Sequence, residues 1–174
     1  EKAHSLGLRV ILDGVFNHTG TEFFAFRDLK EKERDSDYAN WYYPESFPLR
    51  VFPGKPNYKT FSYFFGMPKV NLRCADAARY FTDVALHWLR VTGADGWRLD
   101  VADELPDAFI LRLKQQIRKI RPDALLMGEV WEDASNKIAY GIRRRYFADG
   151  MLDSIMNYPF RSAILDFIRG YDDG

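Results

Sequence analysis

Residues Gly93 to Glu104 read GADGWRLDVADE, a glycine-rich turn leading into a short β-like segment that ends in acids. Taken as a strand, it puts Trp97, Leu99 and Val101 on one face and Arg98 and Asp100 on the other. Side chains two apart on a strand point the same way, their Cα atoms roughly 7 Å apart. An arginine and an aspartate on the inward face of a strand are costly unless they pair or do chemistry. The segment alone leaves two readings open: a buried structural ion pair, or part of a site.

The stretches on either side decide what kind of sheet the strand joins. Upstream, Ala77, Phe81, Val84, Ala85 and Trp88 are spaced as one face of an amphipathic helix that begins at Asp76 and ends near Thr92-Gly93. Downstream, Pro106 suits a first helical turn. Ile110, Leu113, Ile117 and Ile120 then mark the buried face of a helix that stops before Pro122. Leu125 to Met127 begin another strand, closed by Gly128-Glu129-Val130-Trp131. The two strands begin about thirty residues apart, the usual length of a βαβ unit. Further on come a short helical segment, a basic cluster at Arg143 to Arg145 that reads as exposed, a weaker strand at Leu152 to Met156, and a helix opened by Phe160, Ile164, Phe167 and Ile168.

Toward the N-terminus, Leu8 to Leu12 (LRVIL) is a buried-strand signature. It follows a helix tail at Glu1 to Leu6 capped by Gly7. Between this strand and Asp76, residues Gly20 to Val70 show no sustained period. They are punctuated by Pro44, Pro48, Pro53, Pro56 and Pro68 and hold half of the chain's aromatic residues. So long a stretch inside a compact domain reads as a small subdomain or a functional lid. Most of its aromatics are expected to form that subdomain's core, some to offer platforms for sugar rings. The run KEKERDSD (Lys30 to Asp37) reads as a solvated face.

Repeated βα units make a parallel sheet, doubly wound or closed into a barrel. No glycine-rich dinucleotide loop is present. Polar residues gather at the C-terminal ends of successive strands: Asp13, Asn17 and His18; then Arg98 and Asp100; then Glu129. Barrel enzymes build active sites in that way. The expected fold is therefore α/β, a partial (β/α)8 barrel of four strands, with the chain a fragment of the whole.

Composition narrows the partners. With 25 basic and 25 acidic residues the formal net charge is zero, against a nucleic-acid or anionic-membrane partner. No apolar run would span a membrane and no signal peptide opens the sequence. The single cysteine, Cys74, excludes an intrachain disulfide and a multi-cysteine metal site. HExxH, GxSxG and Walker motifs are absent, which removes the zinc-peptidase, α/β-hydrolase and P-loop readings.

Asp100 and Glu129, on adjacent strand ends, could stand at the separation of about 5–5.5 Å used by retaining glycosidases. Arg98 is expected to hold Asp100 ionised as nucleophile, and an apolar setting beside Val130 and Trp131 to keep Glu129 protonated as general acid. A solvent-facing acid at a strand end is the competing reading of Glu129. His18 is either a satisfied histidine near the core or a sugar-hydroxyl contact. Asp13 is placed to orient Arg98. Asn17 offers one oxygen to a cation such as calcium, which is not a site.

These motifs together resemble the α-amylase family of glycoside hydrolases. DGVFNH (Asp13 to His18), GWRLDVADE (Gly96 to Glu104) and GEVW (Gly128 to Trp131) resemble its first three signatures, on barrel strands three, four and five. MPKVN (Met67 to Asn71) resembles the additional signature near the end of domain B. Its MPK form, with EVWEDAS and MNYPF, is similar to the neopullulanase, cyclomaltodextrinase and maltogenic-amylase group. The resemblance implies that residues 1–19 and 72–174 are about strands three to six of the catalytic barrel, and that residues 20–71 are domain B.

It further implies Asp100 as nucleophile and Glu129 as acid/base. His18, Arg98 and Trp131 would be substrate-binding, and Asp13 and Asn17 structural supports of the site. The implied substrates are maltooligosaccharides, pullulan or cyclodextrins. Val101 is similar to members that accept α-1,6 as well as α-1,4 bonds. No cofactor is implied, and Glu104, where true α-amylases carry the histidine that helps hold calcium, does not support that metal site. The group reads VANE where this chain has Val101-Ala102-Asp103-Glu104, so Asp103 adds a charge. The resemblance also implies a homodimeric parent, and the expected setting is cytoplasmic. The family's fourth signature is absent from these residues, which are therefore expected to be inactive alone. The alternatives are a transglycosylase on the same scaffold and a non-catalytic binding or partner domain.

Overall fold

The computed structural model describes residues 1–52, 54–139, 141–147 and 150–171; Pro53, one of the insertion's prolines, lies outside them. Four parallel strands form the central sheet: β1 (Ile11–Gly14), β2 (Gly96–Leu99), β3 (Leu125–Gly128) and β6 (Ser154–Ile155). A short antiparallel hairpin, β4 (Ile138–Ala139) and β5 (Ile142–Arg143), lies between the last two in sequence. The helices are α1 (Lys2–Ser5), α2 (Phe24–Lys32), α3 (Ala75–Thr92), α4 (Asp107–Ile120) and α5 (Tyr158–Arg169).

Each strand of the sheet pairs with the one before it, in the order β1-β2-β3-β6. That stepwise parallel order, with α3 and α4 as crossovers, is the arrangement of a partial (β/α)8 barrel. The register sets Asp13 beside Arg98, Arg98 beside Met127, and Gly14 beside Leu99 beside Gly128. The strand ends, and the acids that follow them, are thereby level with one another.

The helices form where the apolar spacing calls for them. The buried side of α3 carries Ala77, Ala78, Phe81, Thr82, Ala85, Leu86 and Leu89. Its 3.6-residue stripe runs through Leu89, so Trp88, expected on that face, is 47% exposed. Gly93 ends the helix in the left-handed conformation at φ +68°, a backbone shape glycine adopts without penalty. On α4, Phe109, Ile110, Leu113 and Ile117 are buried and Pro106 takes the N-cap position. Gly96 is required for a different reason: a Cβ there would stand 2.1 Å from the carbonyl oxygen of Leu125.

Several expectations need correction. The first strand lies at Ile11–Gly14, not Leu8 to Leu12, because its partner begins only at Gly96. Just ahead of it Asp95 takes the Val10 amide on its carboxylate at 2.7 Å, along with His4 and Arg121. The second strand stops at Leu99, so Val101 does not continue its apolar face. The insertion is not free of regular period: α2 buries Ala25, Phe26 and Leu29. Where a short helical segment was expected after β3 the chain makes the β4–β5 hairpin. Arg144, expected on the surface with its neighbours, is 7% exposed; its guanidinium caps the carbonyls of Asp103 and Leu105 and pairs with Asp107.

The insertion's aromatics largely make a core. Phe26, Trp41, Tyr42 and Tyr58 are buried, and the Phe26 ring meets Tyr42 and Tyr58 at 4.9 and 5.1 Å. Phe16, in the loop leaving β1, lies 5.6 Å from Trp97, 6.1 Å from Phe109 and 6.2 Å from Phe81. It ties that loop to β2 and to both crossover helices. No helix among the described residues is long and apolar enough to cross a membrane.

Candidate active site

The pleat of β1 and β2 turns Asp13 and Arg98 to the same side, and the guanidinium of Arg98 gathers three carboxylates. Its Nη1 lies 2.6 Å from Asp13 and 2.7 Å from Asp100, and its Nη2 lies 2.8 Å from Glu129. Nε donates to the Met156 sulfur at 3.4 Å. Three acids from three successive strands thus meet on one cation. Asp13 is largely exposed, Asp100 is partly covered, and the Glu129 side chain is 9% exposed.

The turn after β2 completes the Glu129 environment. Val101 adopts φ +46°, an outlier for a β-branched residue. Its N–H donates to Glu129 Oε2 at 2.9 Å, and the Ala102 N–H donates to the Glu129 carbonyl at 3.0 Å. The Tyr158 hydroxyl at the start of α5 donates to Glu129 Oε1 at 3.4 Å.

These contacts shift the two acids in directions the sequence does not anticipate. Burial raises the Asp100 pKa. Arg98 opposes this, the Glu129 charge adds to it, and the net shift is upward. Burial also raises Glu129, but Trp131, the Val101 amide and Arg98 outweigh it, and its pKa falls below the usual carboxylate value. Both shifts run opposite to the expected directions, in which Arg98 would lower Asp100 and an apolar setting would raise Glu129. Burial is the largest influence on both acids; it prevails at Asp100, whereas at Glu129 the hydrogen bonds from Trp131 and the Val101 amide, helped by Arg98, overcome it.

On the other side, Asn17 is buried and His18 half-buried in the loop after β1. His18 stacks on Phe61 of the insertion, with centroids 4.9 Å apart and planes 3° from parallel. Burial is the largest influence on its pKa and lowers it, with the Asp100 charge opposing. The imidazole is thus held neutral near pH 7. Lys69, from MPKVN, donates to Asn17 Oδ1 at 2.8 Å and forms an ion pair with Glu104. An ammonium thus occupies the oxygen that the sequence offered to a cation. Among the described residues no group of three or more His, Cys, Asp and Glu has a metal-holding arrangement.

Trp131 is 60% exposed and lies 6.4 Å from the Tyr158 ring. The residues singled out in the sequence fall into one mouth at the C-terminal ends of the strands. Sequence reasoning missed Lys69 as the partner of Asn17, Phe61 as the partner of His18, and Tyr158 as the partner of Glu129. Lys69 and Tyr158 lie in quoted motifs and Phe61 in the insertion's aromatic stretch, but spacing along the chain carries no sign of these pairings.

The family model for the alpha amylase catalytic domain matches residues 1–171. A cyclomaltodextrinase from a Bacillus species is 40% identical over 164 residues, covering 94% of this chain and 28% of that protein. Neopullulanase 2 of Thermoactinomyces vulgaris is 39% identical over 168 residues, covering 96% of this chain and 27% of that protein. The solved cyclic alpha-maltosyl-(1→6)-maltose hydrolase of Arthrobacter globiformis superposes with a TM-score of 0.84 at 32% identity, covering 95% of this chain and 35% of that one. The chain spans less than a third of the length of the curated relatives it matches. With its stepwise parallel strands and three acids gathered on one arginine, the chain belongs to the α-amylase family and corresponds to part of that family's catalytic domain.

Proposed function

We propose that the whole protein carrying this chain is a retaining glycoside hydrolase. Its substrates would be the α-1,4 and α-1,6 glucosidic bonds of maltooligosaccharides, pullulan or cyclodextrins. The observation that carries the reading is the binding of Asp100 and Glu129 to the two terminal nitrogens of one guanidinium. Two carboxylates so gathered suit direct attack by one acid rather than the wider gap of about 6.5–9.5 Å that leaves room for a water. The names of the relatives, cyclomaltodextrinase and neopullulanase among them, favour the same substrate class.

In the first step Asp100 attacks the anomeric carbon. The bond from that carbon to the glycosidic oxygen breaks, and Glu129 gives its proton to the departing oxygen. In the second, Glu129 takes a proton from water, whose oxygen attacks the same carbon and releases Asp100. Step one needs Glu129 protonated and Asp100 charged. To reach a glycosidic oxygen, Glu129 must leave Arg98 Nη2. That removes one of the influences lowering its pKa and leaves burial to raise it, while Arg98 stays on Asp100. Substrate seating thus moves Glu129 toward the protonated form that step one needs.

In this reading His18, Arg98 and Trp131 contact the sugar, Asp13 holds Arg98, and Asn17 holds the His18 loop. Residues 20–71 are the family's domain B. Both acids come from the protein, so the reading calls on no cofactor. Assembly as a homodimer and a cytoplasmic setting belong to the same proposal; the relative named intracellular maltogenic amylase, 32% identical, supports the latter.

The test is to incubate the whole protein with a 5-fluoroglucosyl fluoride and map the label by mass spectrometry. The glycosyl group is expected on Asp100, with cleavage of a chromogenic maltooligosaccharide abolished by Asp100→Asn and by Glu129→Gln. Turnover without a label on Asp100, or undiminished turnover in either variant, overturns the proposal.

A further inference from the structure

The turn from Asp100 to Glu104 is strained at Val101 and held from outside. Strain of this kind persists only where the surroundings over-determine the backbone. One anchor is Lys69 on Glu104. The other is built on Asp103, whose carboxylate receives the Lys137 ammonium at 2.5 Å and the hydroxyl of Tyr146. Tyr146 is fully buried and capped by the Arg144 guanidinium, 5.0 Å from its ring centre. Arg144 also binds the Asp103 carbonyl at 2.7 Å. Lys137 lies in the segment that follows Glu129, its side chain is 10% exposed, and its second partner is Glu132, next to Trp131.

Asp103 and Lys137 therefore join the turn behind Asp100 to the loop behind Glu129. We propose that the Asp103–Lys137 pair is a positioning device that holds the Val101 N–H on Glu129 and so sets where the acid/base carboxylate points. The proposal rests on the assignment of Glu129 as acid/base.

The groups facing Glu129 are Arg98 from β2, Asp100 and the Val101 amide from the turn, Trp131 from its own loop and Tyr158 from α5. Asp13 of β1 acts through Arg98. Loosening the turn removes only the Val101 contribution, and with it one of the interactions that keep Glu129 ionised. The Glu129 pKa then rises in the free enzyme, and the alkaline limb of kcat/KM moves up in pH.

The experiment compares Asp103→Asn, Lys137→Met, their double variant and Lys137→Arg in the whole protein. Each is assayed on a p-nitrophenyl maltooligosaccharide from pH 4 to 9, with thermal melting alongside. Expected is a fall in kcat of about ten- to a hundredfold with KM within about twofold. The alkaline limb is expected to rise by about one unit, the double variant to be no worse than the poorer single, and Lys137→Arg to recover most of the rate. A lower melting temperature with the limb unmoved would make the pair merely structural. Additive losses in the double variant would also overturn the proposal. Failure of the underlying assignment shows separately, as an alkaline limb that survives in Glu129→Gln.

Discussion

Replacing Arg98 with leucine tests the electrostatic centre of the site. Arg98→Leu keeps an apolar stem at the strand's inward face and removes the cation shared by Asp13, Asp100 and Glu129. Asp13 is more than half exposed, so water compensates it. Asp100 and Glu129 are covered and left facing one another. Breaking a buried pair by deleting one partner costs about 3–5 kcal/mol, because a charge is stranded. That cost is limited by protonation, since each unit of pKa rise is about 1.4 kcal/mol. With the cation gone, the folded-state pKa values of both acids rise above their unfolded values. A carboxylate so raised stabilises the fold at low pH, and its contribution is lost as pH rises through the folded value. Arg98→Leu is therefore expected to be destabilised by about 3–5 kcal/mol at pH 8 and by about 1–2 kcal/mol less at pH 5. Urea titrations of the two proteins at both pH values measure this. An equal loss at pH 5 and pH 8 would refute the charge argument and leave lost packing as the cause.

Two further outcomes follow from packing. Phe16→Ala opens a hole between Trp97, Phe81 and Phe109 and is expected to cost about 3–5 kcal/mol in denaturant titration; a loss under 1 kcal/mol would mean that the loop after β1 is not held by this ring. Trp131→Ala, at a residue 60% exposed, should leave stability within about 0.5 kcal/mol while raising KM for a maltooligosaccharide. Unchanged KM would remove Trp131 from the substrate path.

The gathering of Asp13, Arg98, Asp100 and Glu129 was legible because each sits at a strand end whose period and apolar content are local properties. The alternation of residues in GWRL and LLMG, and the helical stripes of α3 and α4, likewise need only neighbours along the chain. Trp88 shows the limit of such reading: two adjacent stripes were open to it, and only packing of α3 chose Leu89 as the buried one. Helix α2 was hidden because its apolar residues lie among aromatics without a clean period, and its burial depends on Tyr42 and Tyr58 from later in the insertion.

The sequence by itself determined the parallel α/β architecture, the order of its units and the acids that reach one mouth, since strand and helix periods are written in local side-chain spacing. Only the tertiary structure decided how GADGWRLDVADE is used. It ends β2 at Leu99, turns Val101 left-handed onto Glu129, ties Asp103 to Lys137, and shares Arg98 between two acids, with the Asp100 pKa raised by burial and the Glu129 pKa lowered by its hydrogen bonds. Those outcomes depend on distances between residues far apart in the chain, and a pKa follows the charges and burial around a group.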